Sequence, residues 1–135
     1  MAEMNRKGFT LLEILLVISL IGIMLSVSLP ISYSMYSSYK ASLKAEEVMI
    51  FISGLRRESF LYSEAKLVSS KDGVMTVNSK EKVFADTIIH IDHLIEFYKN
   101  GTTSGGTLRI KVGDQAYTLN VKAPFGDLSL ERKST

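Results

Sequence analysis

The strongest pattern in the chain is an unbroken apolar run from Phe9 to Leu29. These 21 residues carry a single charge, on Glu13. About 20 apolar residues form a helix long enough to cross the hydrocarbon core of a bilayer. The run therefore predicts a membrane-spanning helix. Arg6 and Lys7 precede it, and the bias of basic residues toward the cytoplasm predicts that the chain after Leu29 lies outside.

Glu13 is the residue in this run that needs an explanation. An acid at the centre of a membrane-spanning helix costs on the order of 2.5–3.5 kcal/mol on insertion scales. Such a residue persists where a partner or a function offsets the cost. The sequence therefore predicts a specific partner for the Glu13 carboxylate.

A helical pattern continues from about Ile31 to Glu64. One face has apolar positions three and four residues apart, and we expect it to pack on the following domain; its members are Val48, Ile52, Leu55, Ser59 and Tyr62. A second, narrower face lies nearly opposite and contains Leu43, Ile50 and Leu61, with Gly54 between them. This second face indicates either contacts with neighbouring helices in an assembly or a chance pattern in a short window.

Pro30 directly follows the apolar run. A proline inside a helical pattern removes one backbone hydrogen bond and kinks the helix at or before itself. Because the helical pattern resumes after it, we expect a kink and not an end. Tyr33, Tyr36 and Tyr39 follow at helical spacing, where their rings suit either the bilayer interface or packing against a neighbour.

Beyond Lys66 the pattern changes to short runs separated by turn residues, which predicts strands. Two runs alternate clearly between apolar and polar residues, Leu108–Val112 and Tyr117–Val121, and the turn between them predicts an antiparallel hairpin. Further strands are predicted at Val74–Val77, Lys82–Phe84, Ile88–Ile91 and Leu94–Tyr98. A long helix followed by strands predicts an α+β fold, with a small antiparallel sheet packed on the carboxy-terminal half of the helix.

Composition narrows the functional classes. The chain has 135 residues, a formal net charge of +2 and no cysteine. The length allows one small domain beyond the apolar run. The small net charge gives no general affinity for nucleic acid. The absence of cysteine excludes disulfides, thiolate metal sites and a cysteine nucleophile.

Three patterns suggest catalytic or metal chemistry and fail on inspection. The segment Gly101–Thr107 has the glycine spacing of a phosphate-binding loop, but Thr107 occupies the position of the required lysine and a strand follows. His90, Asp92 and His93 lie in a strand and turn, where they point in different directions and no second cluster completes a metal site. The many serines, with two histidines beside an acid, suggest an acyl-transfer site, but no strained nucleophile turn such as G-x-S-x-G is present in the sequence. The sequence therefore predicts no catalytic residue, metal or cofactor.

Two ordinary explanations compete for the amino terminus. A secretory signal would use Ser26-Val27-Ser28 as a cleavage site, but its apolar core would be shorter, about 7–15 residues, and would not contain Glu13. A simple membrane anchor explains the length of the run but not the acid. Neither explains the junction between Gly8 and Phe9.

The residues Gly8-Phe9-Thr10-Leu11-Leu12-Glu13 after a short basic leader closely resemble the prepilin signal of type IV pilins and pseudopilins. The resemblance implies that a prepilin peptidase cuts after Gly8 and that the new amino terminus, on Phe9, is methylated. It implies that Glu13 meets the terminal amine of a neighbouring subunit. Pro30 is also similar in position to a proline common in major pilins.

The carboxy-terminal part resembles H-type minor pseudopilins, a group that includes the D-type pseudopilin of the Gram-positive competence (Com) pilus. The segments that carry this second resemblance are Leu94–Phe97, Asn100-Gly101, Gly105–Ile110, Tyr117–Val121, Gly126–Leu128 and Leu130–Lys133. The resemblance covers residues 5–35 strongly and 88–133 moderately. Residues 40–87 carry no diagnostic motif.

Together the resemblances imply a minor pseudopilin of a competence filament that supports DNA uptake, with a type II secretion system or a motility pilus as the alternative. The expected parts are a leader (1–8), a membrane and assembly helix (9–29), an extracytoplasmic helix (30–66) and a β domain (67–135). The implied partners are other pilins, the prepilin peptidase, membrane lipid before assembly and, indirectly, a platform protein and an assembly ATPase. The implied location is the cell membrane and then a surface filament.

A function of another class is a DNA-binding module at the filament tip. Cations near the predicted hairpin and tail are its candidate contacts: Arg109, Lys111, Lys122, Arg132 and Lys133. The alternative is an ordinary solvated polar face.

Overall fold

Helix α1, Leu11–Leu61, is the dominant element of the computed structural model, which describes residues 8–133. The chain divides into two compact units, Met1–Ser37 and Ser38–Thr135, and α1 contributes to both. The helix continues through Pro30. The kink expected at this residue stays a prediction.

In the first unit, every residue from 8 to 37 is exposed. Here α1 is long and apolar enough to cross a membrane by length and composition. The hydroxyl groups of Ser19 and Ser26 donate to the carbonyl oxygens of Leu15 and Ile23, at 2.8 and 2.7 Å. These bonds satisfy both hydroxyl donors within the helix, as a hydrocarbon environment requires.

Helix α1 ends three residues before the predicted boundary at Glu64, and the cause is local. Ser63 adopts a left-handed conformation, with φ of 48°. The amide of Glu64 donates to the carbonyl of Ser59, and the amide of Ser63 donates to that of Phe60. This pattern is a Schellman cap, which satisfies the last carbonyl groups and turns the chain out of the helix.

After the helix, the described residues of the second unit form eight strands in two antiparallel sheets. The strands are β1 (Lys66–Lys71), β2 (Val74–Val77), β3 (Lys80–Lys82), β4 (Thr87–Ile91), β5 (Ile95–Phe97), β6 (Gly106–Val112), β7 (Gln115–Lys122) and β8 (Asp127–Lys133). Sheet A has the order β3-β2-β1-β5, and sheet B has the order β4-β6-β7-β8. The predicted hairpin is confirmed as β6 and β7, with Leu108 opposite Leu119 and Ile110 opposite Tyr117.

The α+β prediction is confirmed, with two small sheets packed against the helix where one was expected. Two backbone donors of β4 join the sheets, because Ile89 N donates to Gly73 O and Ile91 N donates to Ser70 Oγ. Strands β1 and β8 were not predicted, and β3 ends at Lys82 and does not reach Phe84. The missed strands contain few apolar residues, so period-two alternation is weak in both.

The core of this unit lies between one face of α1 and the sheets. The buried helix residues are Ala41, Ala45, Val48, Ile52, Leu55 and Ser59. This confirms four of the five members of the predicted packing face. Tyr62 was wrongly included, since it is 72% exposed beyond the end of the helix. The members of the second face, Leu43, Ile50 and Leu61, are all exposed.

Candidate functional site

The amino-terminal site is built around the first turn of α1. Thr10 N donates to Glu13 Oε2 at 3.1 Å, and Glu13 N donates to Thr10 Oγ1 at 3.1 Å. This reciprocal pair is a capping box, in which the residue before the helix and the third helical residue satisfy each other's backbone donors. The pattern Thr-x-x-Glu was visible in the sequence. Only the structure shows that both bonds form.

The capping box gives Glu13 a local role but does not fully offset its cost. A capping residue contributes about 1 kcal/mol, and an acid in the first turn gains about 0.3–1 kcal/mol from the helix dipole. Their sum is smaller than the penalty of up to about 2.5–3.5 kcal/mol for an acid within the bilayer. The partner predicted for the Glu13 carboxylate in an apolar setting stays a prediction.

The residues next to this turn are accessible. Phe9 is 81% exposed, and a Cβ atom added to Gly8 would meet nothing within 4 Å. Gly8 and Phe9 are thus both exposed within the first unit. Arg6 and Lys7 of the basic leader lie outside the described residues.

Comparison with protein families identifies this segment. The family model for the prokaryotic N-terminal methylation motif matches residues 4–29. The chain carries an N-terminal methylation motif. This motif is the prepilin signal of type IV pilins and pseudopilins, so the match supports that family. Membership suggests a structural subunit. It also suggests processing by a prepilin peptidase and assembly with other pilins. A membrane-anchored subunit fits both the motif and the apolar helix. No solved structure matches this chain.

The candidate DNA contacts of this pilin-like chain fall on two different faces of sheet B. Residues directly opposite each other in a sheet share a face. Lys111 pairs with Ala116, which pairs with Lys133, and Arg109 occupies the next row of the same outer face. Arg132 pairs with buried Tyr117 and lines a cleft beside Glu46 of α1. Arg132 is nevertheless exposed, and it also borders a cleft lined by Arg109, Lys111 and Lys133.

The outer face of sheet B is mixed in charge. Arg109 donates to Asp92 Oδ1 at 2.7 Å, and His90 Nε2 lies 3.0 Å from the same oxygen. Lys122 lies opposite Asp127 in the strand register, and this row is about 20 Å along the strand from the row of Lys111 and Lys133. Glu131 lies in the row of Arg109. This face therefore presents cations and carboxylates together, and direct DNA contact stays a prediction.

His93, the third residue of the discarded metal hypothesis, is exposed beside Asp92. The Asp92 carboxylate is already engaged by His90 and Arg109. Within residues 8–133, no group of three or more His, Cys, Asp or Glu side chains is arranged to hold a metal ion.

The structure also forms a site that the sequence did not predict. A groove of about 440 Å³ lies between the last turns of α1, the loop from β5 to β6 and the turn from β7 to β8. We call it the basic groove; it is lined by Ser53, Arg56, Arg57, Phe60, Asn100, Gly101, Thr102 and Phe125. Its lining contains two arginines and no carboxylate. Phe60 and Phe125 are 61% and 66% exposed.

Hydrogen bonds hold the three walls of the basic groove together. Arg56 Nε donates to Gly101 O at 3.2 Å, which joins the helix to the first loop. Thr103 N donates to Pro124 O at 2.9 Å, which joins that loop to the turn carrying Phe125. Gly126 has φ of +76°, and a Cβ there would lie 2.9 Å from Arg56 Cδ. The left-handed backbone thus favours glycine at this position, and a larger residue would displace the Arg56 side chain.

Proposed function

We propose that this chain is a minor pseudopilin of a competence filament that resembles a type IV pilus and supports the uptake of transforming DNA. The observation that carries the proposal is the methylation motif, with Gly8 and Phe9 exposed and Glu13 in the first turn of an apolar helix. The resemblance of residues 88–133 to the competence D-type pseudopilin supports the choice of system. A type II secretion system or a motility pilus is the alternative.

In this proposal each segment has one task. Residues 1–8 are the leader, 9–29 cross the membrane and then join the filament core, 30–66 continue the helix outside, and 67–135 form the extracytoplasmic β domain. The peptidase cuts after Gly8, and Phe9 is methylated. Membrane lipid surrounds the helix before assembly, while the platform protein and the assembly ATPase act on it indirectly. The chain is a structural subunit and catalyses no reaction.

Glu13 is the residue on which assembly should depend. We expect Glu13→Val to leave a stable, inserted chain that is poorly incorporated, because its carboxylate no longer neutralises the amine of a neighbouring Phe9. Pull-down of partner pilins measures incorporation, and transformation frequency in the source organism measures function. Secretion measured in parallel distinguishes the competence filament from the secretion alternative.

Thr10→Val is the matched control for this variant, since it breaks the capping box and keeps the charge. Loss of the cap costs about 1 kcal/mol of local helix stability, so we expect Thr10→Val to assemble better than Glu13→Val. Normal pull-down by Glu13→Val would contradict the intersubunit pair. Equal impairment of the two variants would assign the effect to the helix cap.

The alternative proposal, from another functional class, is that the outer domain binds DNA. We expect this binding to be weak, because the outer face of sheet B mixes cations with carboxylates. For residues 37–135 we expect affinities near the non-specific range, roughly 10⁻⁴ to 10⁻⁶ M at physiological salt. Each phosphate contact should contribute about 0.9 to the slope of log affinity against log salt on duplex DNA. Mobility-shift titrations at several salt concentrations measure both quantities.

Two double variants separate the faces in this assay. Lys111→Ala with Lys133→Ala removes neighbouring cations of the outer face, whereas Arg132→Ala with Lys133→Ala removes one cation from each face. Tight binding that survives physiological salt and disappears in either double variant would make this subunit the DNA receptor of the filament.

A further inference from the structure

Two faces of helix α1 repeat one spacing ten residues apart and carry opposite charges. The first, which we call the acidic face, contains Leu43, Glu46, Glu47 and Ile50. Positions i, i+3, i+4 and i+7 lie on one side of a helix. The second set has the same spacing and forms the helical wall of the basic groove; its members are Ser53, Arg56, Arg57 and Phe60.

Neither face is fully satisfied within the outer domain, although Arg56 Nε donates to Gly101 O. Glu46, Glu47 and Arg57 are exposed, and their side chains form no ion pair or hydrogen bond within the described residues. Ile50 and Phe60 are 68% and 61% exposed. Exposed apolar side chains beside unpaired charges are the composition expected of an interface.

The two faces of one helix cannot meet each other. Ten residues correspond to a rise of about 15 Å along the axis. A second parallel copy, displaced by this rise and rotated about its axis by about 100°, brings the two faces opposite each other. Its Ile50 then lies level with Phe60, and its Leu43 lies level with Ser53. Because equivalent flanks of two parallel helices face away from each other, its Glu46 lies opposite Arg57 and its Glu47 lies opposite Arg56.

We propose that the basic groove of one subunit receives the acidic face of a second copy of this chain. This proposal rests on the proposed function in one respect, the parallel orientation of the two copies. Subunits that insert into a membrane from the same side have parallel helices. The proposal deepens that function by naming the contact between outer domains. The interface is heterologous, because the two copies contribute different faces.

The position of the acidic face permits this contact. The core residues Ala45, Val48 and Ile52 lie on the opposite side of α1, where the sheets pack. The incoming copy therefore presents bare helix to the groove and keeps its own sheets on the far side. Ser53 is a small side chain facing Leu43 in this register, and no carboxylate lines the groove to repel Glu46 and Glu47.

Cysteine crosslinking in the intact chain tests the register, because the natural chain contains no cysteine. Ile50→Cys and Phe60→Cys are introduced into separate copies with different tags, both are expressed in the source organism, and its membranes are oxidised. The Cα atoms bridged by a disulfide lie within about 7 Å. We expect a mixed dimer carrying both tags. Ile50→Cys combined with Lys111→Cys, on the outer face of sheet B, is the matched control and should give none.

A charge swap tests the chemistry with the same crosslink as the readout. Arg57→Glu in the copy carrying Phe60→Cys should lower the yield at least about tenfold, since like charges then face each other. Glu46→Arg in the copy carrying Ile50→Cys should restore it, since Glu46 is the acid opposite position 57. An unchanged yield with Arg57→Glu, or no restoration by the swap, would overturn the proposal.

The same samples separate this interface from the proposed function. Loss of the leader and membrane insertion are measured on every variant. A processed, inserted chain without the crosslink between positions 50 and 60 overturns the interface and leaves the pseudopilin function standing. The chain could instead bind DNA, lose that binding in Arg57→Glu, and form no crosslink. That result would make nucleic acid the occupant of the groove and would also overturn the proposal.

Discussion

Gly8→Leu is expected to leave the first eight residues on the chain. The peptidase must approach the backbone beside the bulky Phe9, and a large side chain at position 8 obstructs that approach. The chain itself has room for the change, because a Cβ at Gly8 meets nothing within 4 Å. The effect should therefore lie in processing and not in folding. Mass spectrometry of the chain purified from membranes measures whether the leader is retained.

Gly8→Ala is the control for this variant, since it adds a single methyl group at the same position. We expect it to be processed far better than Gly8→Leu. Complete removal of the leader from Gly8→Leu would show that cleavage does not depend on a small residue there. The assignment of residues 1–8 as a prepilin leader would then be wrong.

Removal of helix α1 from the outer domain is expected to abolish folding. The fragment 37–135 keeps all the buried helix residues and should be soluble, with helix and strand signals in circular dichroism and a cooperative melt. The fragment 66–135 lacks them. Full burial of Val48, Ile52 and Leu55 contributes about 1.5–3 kcal/mol for each side chain. Their sum is comparable with the whole stability of a small domain, about 5–15 kcal/mol.

A point substitution provides a graded version of this experiment. Ile52 is 1% exposed, so Ile52→Ala in fragment 37–135 should cost about 2–5 kcal/mol and lower the melting temperature. Ile50→Ala is the matched control on the exposed side and should have little effect on the fragment alone. Cooperative folding of fragment 66–135 with unchanged stability would contradict the packing of the helix on the sheets.

Local patterns in the sequence predicted the elements whose signals are strong. The hairpin of β6 and β7 was predicted from alternation in Leu108–Val112 and Tyr117–Val121 and is confirmed. Four of the buried helix residues were predicted from spacing, whereas Ala41 and Ala45 were missed and Tyr62 was wrongly included. Strand β8 was not predicted, because its sequence combines half-buried leucines with three consecutive charged residues at its end. Its pairing with β7 depends on neighbours and not on its own pattern.

The candidate sites divide in the same way. Gly8, Phe9 and Glu13 belong to one contiguous segment, so the motif that contains them can be recognised without a structure. Arg132 was grouped with Lys133 because they are adjacent in sequence. Adjacent residues of a strand point to opposite faces, and the pairing with Tyr117 places Arg132 on the inner one.

The sequence by itself determined the apolar helix, the methylation motif and the α+β class, because each depends on residues close together in the chain. Only the tertiary structure decided that the strands form two sheets and that Phe125 closes a groove against Arg56 and Arg57. The groove unites residues about seventy positions apart through the bonds of Gly101 and Pro124. Such contacts depend on strand pairing and loop geometry, which local spacing does not encode.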